Sequence, residues 1–597
     1  MDGCMSEDSY TNIELESPSA ADCLGIINDS VGSFYGISKK RVICTSGDID
    51  NVFNCVSRMC LLGGSDTPLK SNPMYRGALP LVKIVKRPTD RSWHSKSKFS
   101  FHLPPDYRFL YPAAPLAYYL GASVEVDDEP FIAFRSAEPM PLPCLDGLEQ
   151  WMGEKLSRVF YLDCAVRYAW ASGGTLNGMD VQALVGRCAG EVFNMGAEER
   201  FLLYTGLNFD MREIPEWHMA SYLDPVAESV EALPFLLRSL SAIYMPRSVP
   251  VTERALVSRA VRDFLGRQNE SPDMCDNATG SVVLPALRKA GSQLWFSDGF
   301  PVDAAKSSVR AFLNRQKYGA GKRQARVGVI CNDPAMEREV DIIIEALSNS
   351  PVSMQVYWNT GASDFSEIFA RGFDIVQLIG HCDAQGFRCS DRPARIEDVT
   401  ENNTPMFFFN SCSSHREAAR LIEKGSVCGV ATFFRVLEEA AVDVCRNFYL
   451  LLGEGYPASV SIGAAMECSV LGKEYLLLGD GSYACFGRGE IKRFYRLTRQ
   501  NGAYKLGCTM SNDEKGFVVC SWFVDGERAV SDLGFETGCM TGEQLSAIAG
   551  KFKGCCMYDR SIYMSVEDAV LKALEDDLEG QKATRRCRKG KRPRCYD

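Results

Sequence analysis

Histidine is scarce in this chain: there are five in 597 residues, so the setting of each carries information. No apolar run approaches the roughly 18 residues that span a bilayer, so no transmembrane helix is expected. The first residues, "MDGCMSEDSYTNIELESPSA", are acidic and polar. They lack the basic start and apolar centre of a secretory signal, and a cytoplasmic location is expected. The net charge of −10 gives no footprint for broad nucleic-acid binding. The stretch "GAGK" at Gly319–Lys322 is not a phosphate loop: Gln316 stands where the first glycine belongs, and Arg323 replaces the serine or threonine. No cofactor motif and no internal repeat is present.

The 24 cysteines are numerous but lack the doubled C-x2-C spacing of a structural zinc site. The close pairs are Cys55/Cys60, Cys382/Cys389, Cys555/Cys556 and Cys587/Cys595. In a long cytosolic chain most cysteines are read as small buried hydrophobes rather than disulfides.

What the chain does have is length and rhythm. At 597 residues it exceeds one core, and several domains are expected. Residues 1–22 read as a disordered N-terminus and 23–142 as a β-rich domain, with one helix ending near Gly121. Residues 143–313 read as helical, with apolar residues at three- and four-residue spacing in "GLEQWMGEKLSRVFYLDCAVRYAW". The charged, glycine-containing stretch 314–325 reads as a linker. From 326 to 490 strands and helices alternate. Continuous apolar strands such as "RVGVICN", "DIVQLIG", "PMFFFNS" and "CGVATFF" imply an α/β sandwich, a mostly parallel sheet with helices on both faces. Residues 491–580 read as a small β-rich domain with a terminal helix. Residues 581–597 form a basic tail with eight Lys and Arg.

In a parallel sheet the chemistry collects beyond the carboxyl ends of the strands. "DIVQLIG" ends at His381 and "PMFFFNS" ends at Cys412. A cysteine becomes a good nucleophile when a histidine takes its proton. His381 and Cys412 are therefore the candidate catalytic dyad. Backbone N–H groups near Cys382 and Asp383, and at Cys412, are candidates for an oxyanion site. Ser413 and Ser414 are candidate N-caps for the helix that follows, whose N-terminus would favour a thiolate. Asp391 and Asn410 are further pocket candidates. His415 is expected on a helix surface. A zinc site built from His381, Cys382, Cys389, Cys412 and His415 would have no standard spacing, and no metal is expected.

These stretches, followed by "SVSIGAA" and "YLLLGDGSY", resemble a CHAT domain, a branch of the caspase-like cysteine peptidases. The resemblance covers residues 326 to 485. A weaker likeness in "LYPAAPLAYYLGASVEV" and "IPEWHMASYLDPVAESVEALPFLLRSLSAIYMPRS" extends it toward long archaeal CHAT-domain proteins. The resemblance implies a caspase-like fold with His381 as general base and Cys412 as nucleophile. Two positions depart from the family pattern. Cys382 replaces a frequent glycine after the histidine. Asn410 stands where relatives that cut after basic residues often carry aspartate. The expected function is a cysteine peptidase acting on protein or peptide substrates, with a regulatory protein as a further partner. The alternative is a catalytically inactive CHAT-like scaffold acting by protein–protein interaction.

Overall fold

The computed structural model describes residues 37–63, 66–72, 75–76, 79–86, 99–174, 179–209, 216–265, 280–318, 324–435, 438–486, 492–500, 502–512, 517–524, 527–531, 535–536 and 540–590. The expected disordered N-terminus and the last residues of the basic tail lie outside them. The chain forms two compact units. One comprises residues 1–214 and 233–240, the other 215–232 and 241–597.

The first unit contains both the expected β-rich stretch and much of the helical one. A parallel pair of strands, Ile37–Thr45 and Leu79–Ile84, flanks the helix Ile49–Leu61. The helix Tyr107–Leu120 starts where Asp106 accepts from the Arg108 N–H and stops at Gly121 in the left-handed region (φ 64°). The 28-residue helix Leu145–Ser172 buries Asp163, which is held by Arg200, Tyr119 and Tyr204.

The second unit is built on a ten-stranded sheet. In chain order its strands are β1 (Met219–Tyr222), β2 (Ala242–Tyr244), β3 (Ser292–Trp295), β4 (Ala305–Lys306), β5 (Ala325–Cys331), β6 (Val352–Trp358), β7 (Ile375–Ile379), β10 (Met406–Asn410), β11 (Cys428–Thr432) and β12 (Tyr475–Gly479). A two-stranded hairpin, β8 (Cys382–Asp383) and β9 (Gly386–Phe387), follows β7. The sheet order is β6-β5-β7-β10-β11-β12-β4-β3-β1-β2. The first five run parallel, β12 is antiparallel to β11, and the last four run parallel to β12. The α/β sandwich with a mostly parallel sheet is thus present. It extends further than expected, because four strands come from the stretch read as helical.

Helices cover both faces. On one lie α1 (Glu337–Ala346), α4 (Glu438–Gly453) and α5 (Ala458–Glu467), packed on Val327, Ile375 and Phe408. On the other lie α2 (Ala362–Ala370) and α3 (His415–Glu423), packed on Val376, Phe407 and Phe409. This is why "MFFFN" is apolar throughout: successive side chains enter opposite cores. Each buried phenylalanine contributes about 1.5–3 kcal/mol by leaving water. Gly429 in β11 makes room for one of them, since a Cβ there would lie 2.2 Å from the Phe407 ring.

Residues 314–318 of the expected linker are structured. They end a helix, Val309–Arg315, in which Asn314 is buried and donates to the Ile422 and Ser426 carbonyls. Beyond the sandwich, Lys492–Gln500 and Ala503–Asn512 form the hairpin at the heart of a seven-stranded sheet. The closing helix runs from Val566 to Gly590.

Candidate active site

β5 is the first strand of the parallel block, β6 lies on one side of it, and β7 on the other. That reversal makes the gap beyond the ends of β5 and β7 a topological switch point, where parallel sheets bind ligands. The register there is strict: Cys331 of β5 pairs with Ile379 of β7, and Ile379 pairs with Asn410 of β10. Asp333, His381 and Cys412 each lie two residues beyond that row. An acid, an imidazole and a thiol thus leave three adjacent strands at the same level, with neighbouring strands about 5 Å apart.

Gly380 turns the chain out of β7 with φ 154°, a backbone region open essentially to glycine alone. His381 then points its Nε2 at Asp333 Oδ2, 2.8 Å away. The second oxygen of Asp333 accepts from the Ala335 N–H at 3.0 Å, which fixes the carboxylate. With Nε2–H donated to Asp333, Nδ1 keeps the lone pair that can accept a proton. The ring is half-exposed, as a base that meets substrate must be.

Cys412 is half-buried in the turn between β10 and α3. Ser413 after it sits in the left-handed region (φ 55°), an uncommon state for a residue with a side chain. Its N–H is tied to the Phe434 carbonyl at 3.1 Å, and the Thr432 hydroxyl donates to the Ser411 carbonyl at 2.6 Å. The turn is therefore held to the end of β11. No hydrogen bond joins the Cys412 thiol to the His381 ring.

The remaining candidates are placed as follows. Ser414 occupies the N-cap position of α3, but its hydroxyl makes no cap; it donates to the Phe409 carbonyl and accepts from the Thr432 N–H. α3 begins three residues after Cys412, so the thiol is not at the helix start that the sequence suggested. Asn410 does not line the cleft. It is buried on the α1 face, donating to Glu339 Oε1 at 2.9 Å and accepting from the Tyr475 hydroxyl at 2.9 Å. Glu339 also accepts from Gln377. An aspartate at position 410 would press a second carboxylate on this buried one, which accounts for the amide.

Asp391 is likewise occupied elsewhere. It accepts from the Ala362 N–H at 2.8 Å at the start of α2, and that backbone hydrogen bond holds its pKa below the usual carboxylate range. Asp383 is exposed and closes the hairpin turn by accepting from Gln385 N–H. The Cys382 thiol is buried, and burial, then the Glu417 and Asp383 charges, push it up to about 12. It is not the nucleophile that attacks substrate. Its backbone N–H is another matter. Arg388 N–H bonds to the His381 carbonyl, and Phe387 exchanges both its bonds with Ala394. By alternation, the 382/387 pair is then a non-hydrogen-bonded one, and the Cys382 N–H points away from β9. The β9 side is tied to Asn332 through the Arg388 carbonyl, on the β5 side of β7. The opposite edge is the side of β10.

His415, expected at the surface, is buried. Phe300 meets it edge-on at 4.6 Å, and its Nδ1 lies 3.2 Å from the Thr432 carbonyl. Burial pushes its pKa down to about 4, so it stays neutral. Cys389 faces Asn332, whose Nδ2 lies 3.6 Å from the sulfur. Among the described residues no group of three or more His, Cys, Asp or Glu is arranged to hold a metal ion. Nor is any described helix long and apolar enough to cross a membrane.

Asp333 is the residue that the sequence reading passed over. Its signal was available, since "RVGVICND" ends a strand just as "DIVQLIGH" does.

No protein-family model and no curated protein matches the chain. Among solved structures, the Arg-specific cysteine proteinase gingipain R is similar at 12% identity over 47% of this chain and 82% of its own, with a TM-score of 0.27. A structure described as a protease is similar at 10% identity over 54% of this chain and 92% of its own, with a TM-score of 0.32. The Saccharomyces cerevisiae separase–securin complex is similar at 8% identity over 33% of this chain and 16% of the matched one, with a TM-score of 0.25. At these values the likeness bears no functional weight.

Proposed function

We propose that the chain is a caspase-like cysteine peptidase of the CHAT type, acting on protein or peptide substrates. Cys412 is the nucleophile, His381 the general base and acid, and Asp333 the positioning residue. The observation that carries this reading is the row Asp333–His381–Cys412, two residues past one register line on three neighbouring strands.

In the proposed reaction Nδ1 of His381 takes the Cys412 proton. The thiolate attacks the peptide carbonyl carbon, and the oxygen gains negative charge. The N–H groups of Cys382 and Cys412 would donate to it. As the C–N bond breaks, His381 returns the proton to the leaving amine. Water, deprotonated by the same nitrogen, then releases the acyl group from sulfur. Asp333 holds the ring in the tautomer with hydrogen on Nε2 and steadies the imidazolium.

The test compares the purified chain with Cys412→Ala on a peptide library and with a thiol-reactive probe. Cleavage and labelling confined to the unmutated chain support the reading; identical behaviour sinks it. A second reading, a binding module on the same scaffold, is favoured by the missing hydrogen bond between the thiol and the ring. It predicts no cleavage by either protein, although the thiol–ring contact of a resting enzyme is often loose before substrate binds.

A further inference from the structure

We propose that Cys382 is a resolving cysteine, which closes a reversible disulfide with Cys412 and so locks the site under oxidation. The inference rests on the nucleophile assignment above. Cys382 comes three residues after Ile379 and Cys412 two after Asn410, and Ile379 and Asn410 are paired across neighbouring strands. That row holds neighbouring strands about 5 Å apart, and the two cysteines leave it from adjacent strand ends; a disulfide spans Cα distances of about 4.4–6.8 Å.

The two segments are also sewn together. The Phe387 ring of the hairpin packs edge-on against Phe409 of β10 at 4.9 Å. Glu417, in the first turn of α3, accepts from the Ile396 N–H at 2.8 Å. Ala394, two residues earlier, is bonded to Phe387. Cys382 lies inside this stitching, in the apolar cluster shared by Phe387, Phe409 and Ala418. Among the described residues its thiol makes a weak 3.9 Å contact with the neighbouring Asp383 carbonyl. The Glu417 and Asp383 charges both act on it. Cys389, the other cysteine of this segment, is turned to Asn332 on the β5 side.

Burial keeps Cys382 a thiol, while Cys412 is open to a small oxidant. With a peroxide, the Cys412 thiolate attacks one oxygen. The S–O bond forms, the O–O bond breaks, and the departing hydroxide takes a proton and leaves as water. The Cys382 sulfur then attacks the Cys412 sulfur. The S–S bond forms, the S–O bond breaks, and the hydroxyl leaves with the Cys382 proton as a second water. Two thiols supply the two electrons that reduce one hydrogen peroxide to two waters. A dithiol reverses the lock by exchange.

The experiment treats the full chain with hydrogen peroxide, alkylates the remaining thiols and maps the peptides by mass. A Cys382–Cys412 linked peptide that dithiothreitol removes is the expected result. In Cys382→Ala, Cys412 is expected to proceed to the sulfinic acid, which dithiothreitol does not recover. A Cys412–Cys389 link, or sulfinic acid at Cys412 of the unmutated chain with no link to Cys382, overturns the proposal. If Cys382→Ala does not fold, the peptide map of the unmutated chain decides alone. The readout is a mass rather than cleavage. A chain that forms the link but cleaves nothing therefore refutes the peptidase and keeps the lock, and the converse refutes only the lock.

Discussion

His381 Nε2 lies 2.8 Å from Asp333 Oδ2, across the switch point between β5 and β7. The contact gives the imidazole one orientation and one tautomer, with Nδ1 as its basic atom. Asp333→Asn is expected to lower kcat by roughly 10- to 100-fold with KM nearly unchanged, part of what general base catalysis supplies. Asp333→Glu should restore part of the loss. Steady-state kinetics on a cleaved peptide separates this from a structural role, which would move KM and stability together.

Asn410 tests the buried network under the site. Asn410→Asp places a second carboxyl against Glu339, where the asparagine amide now donates at 2.9 Å. At low pH the new acid is protonated and can still donate, so the cost is small. As pH rises it must either hold its proton or face a like charge, so the stability gap to the unmutated chain should widen by up to about 1.4 kcal/mol per pH unit. Urea denaturation at pH 5 and pH 8 measures it. A gap that does not change with pH would contradict the network.

Glu474 gives a second pH dependence. It is buried, neither carboxyl oxygen has a hydrogen-bond partner among the described residues, and burial, then the charge of Glu253, raises its pKa to about 8. The folded chain holds this proton more tightly than the unfolded one, whose carboxyl titrates near 4.5. The stabilisation is fully present below pH 4.5 and is lost as pH rises toward 8. Glu474→Gln removes that loss. Its Tm advantage over the unmutated chain should be small at pH 4.5 and grow to a plateau above pH 8, worth roughly 3–5 kcal/mol. Calorimetry across that range checks the sign and the window.

The strands that carry the candidate site were legible because they are buried on both faces. "DIVQLI" and "MFFF" are apolar throughout, and the rule that chemistry sits beyond carboxyl ends then picked out His381 and Cys412. The same rule applied to "RVGVIC" leads to Asp333. Strands β1–β4 were not legible: at two to four residues they are too short to show a period, and they were read with the helices around them. His415 was misplaced because its cover, Phe300, comes from a distant part of the chain. Asn410 was misplaced because its direction depends on Glu339, seventy-one residues earlier. Local pattern locates a strand end; what each side chain meets there is a tertiary fact.

The most direct measurement of the central claim is the site of labelling by a peptidyl electrophile on the full chain, compared with His381→Ala. The account predicts a single adduct on Cys412 that forms far more slowly without the imidazole. Labelling on another cysteine, or at a rate indifferent to His381, would contradict it.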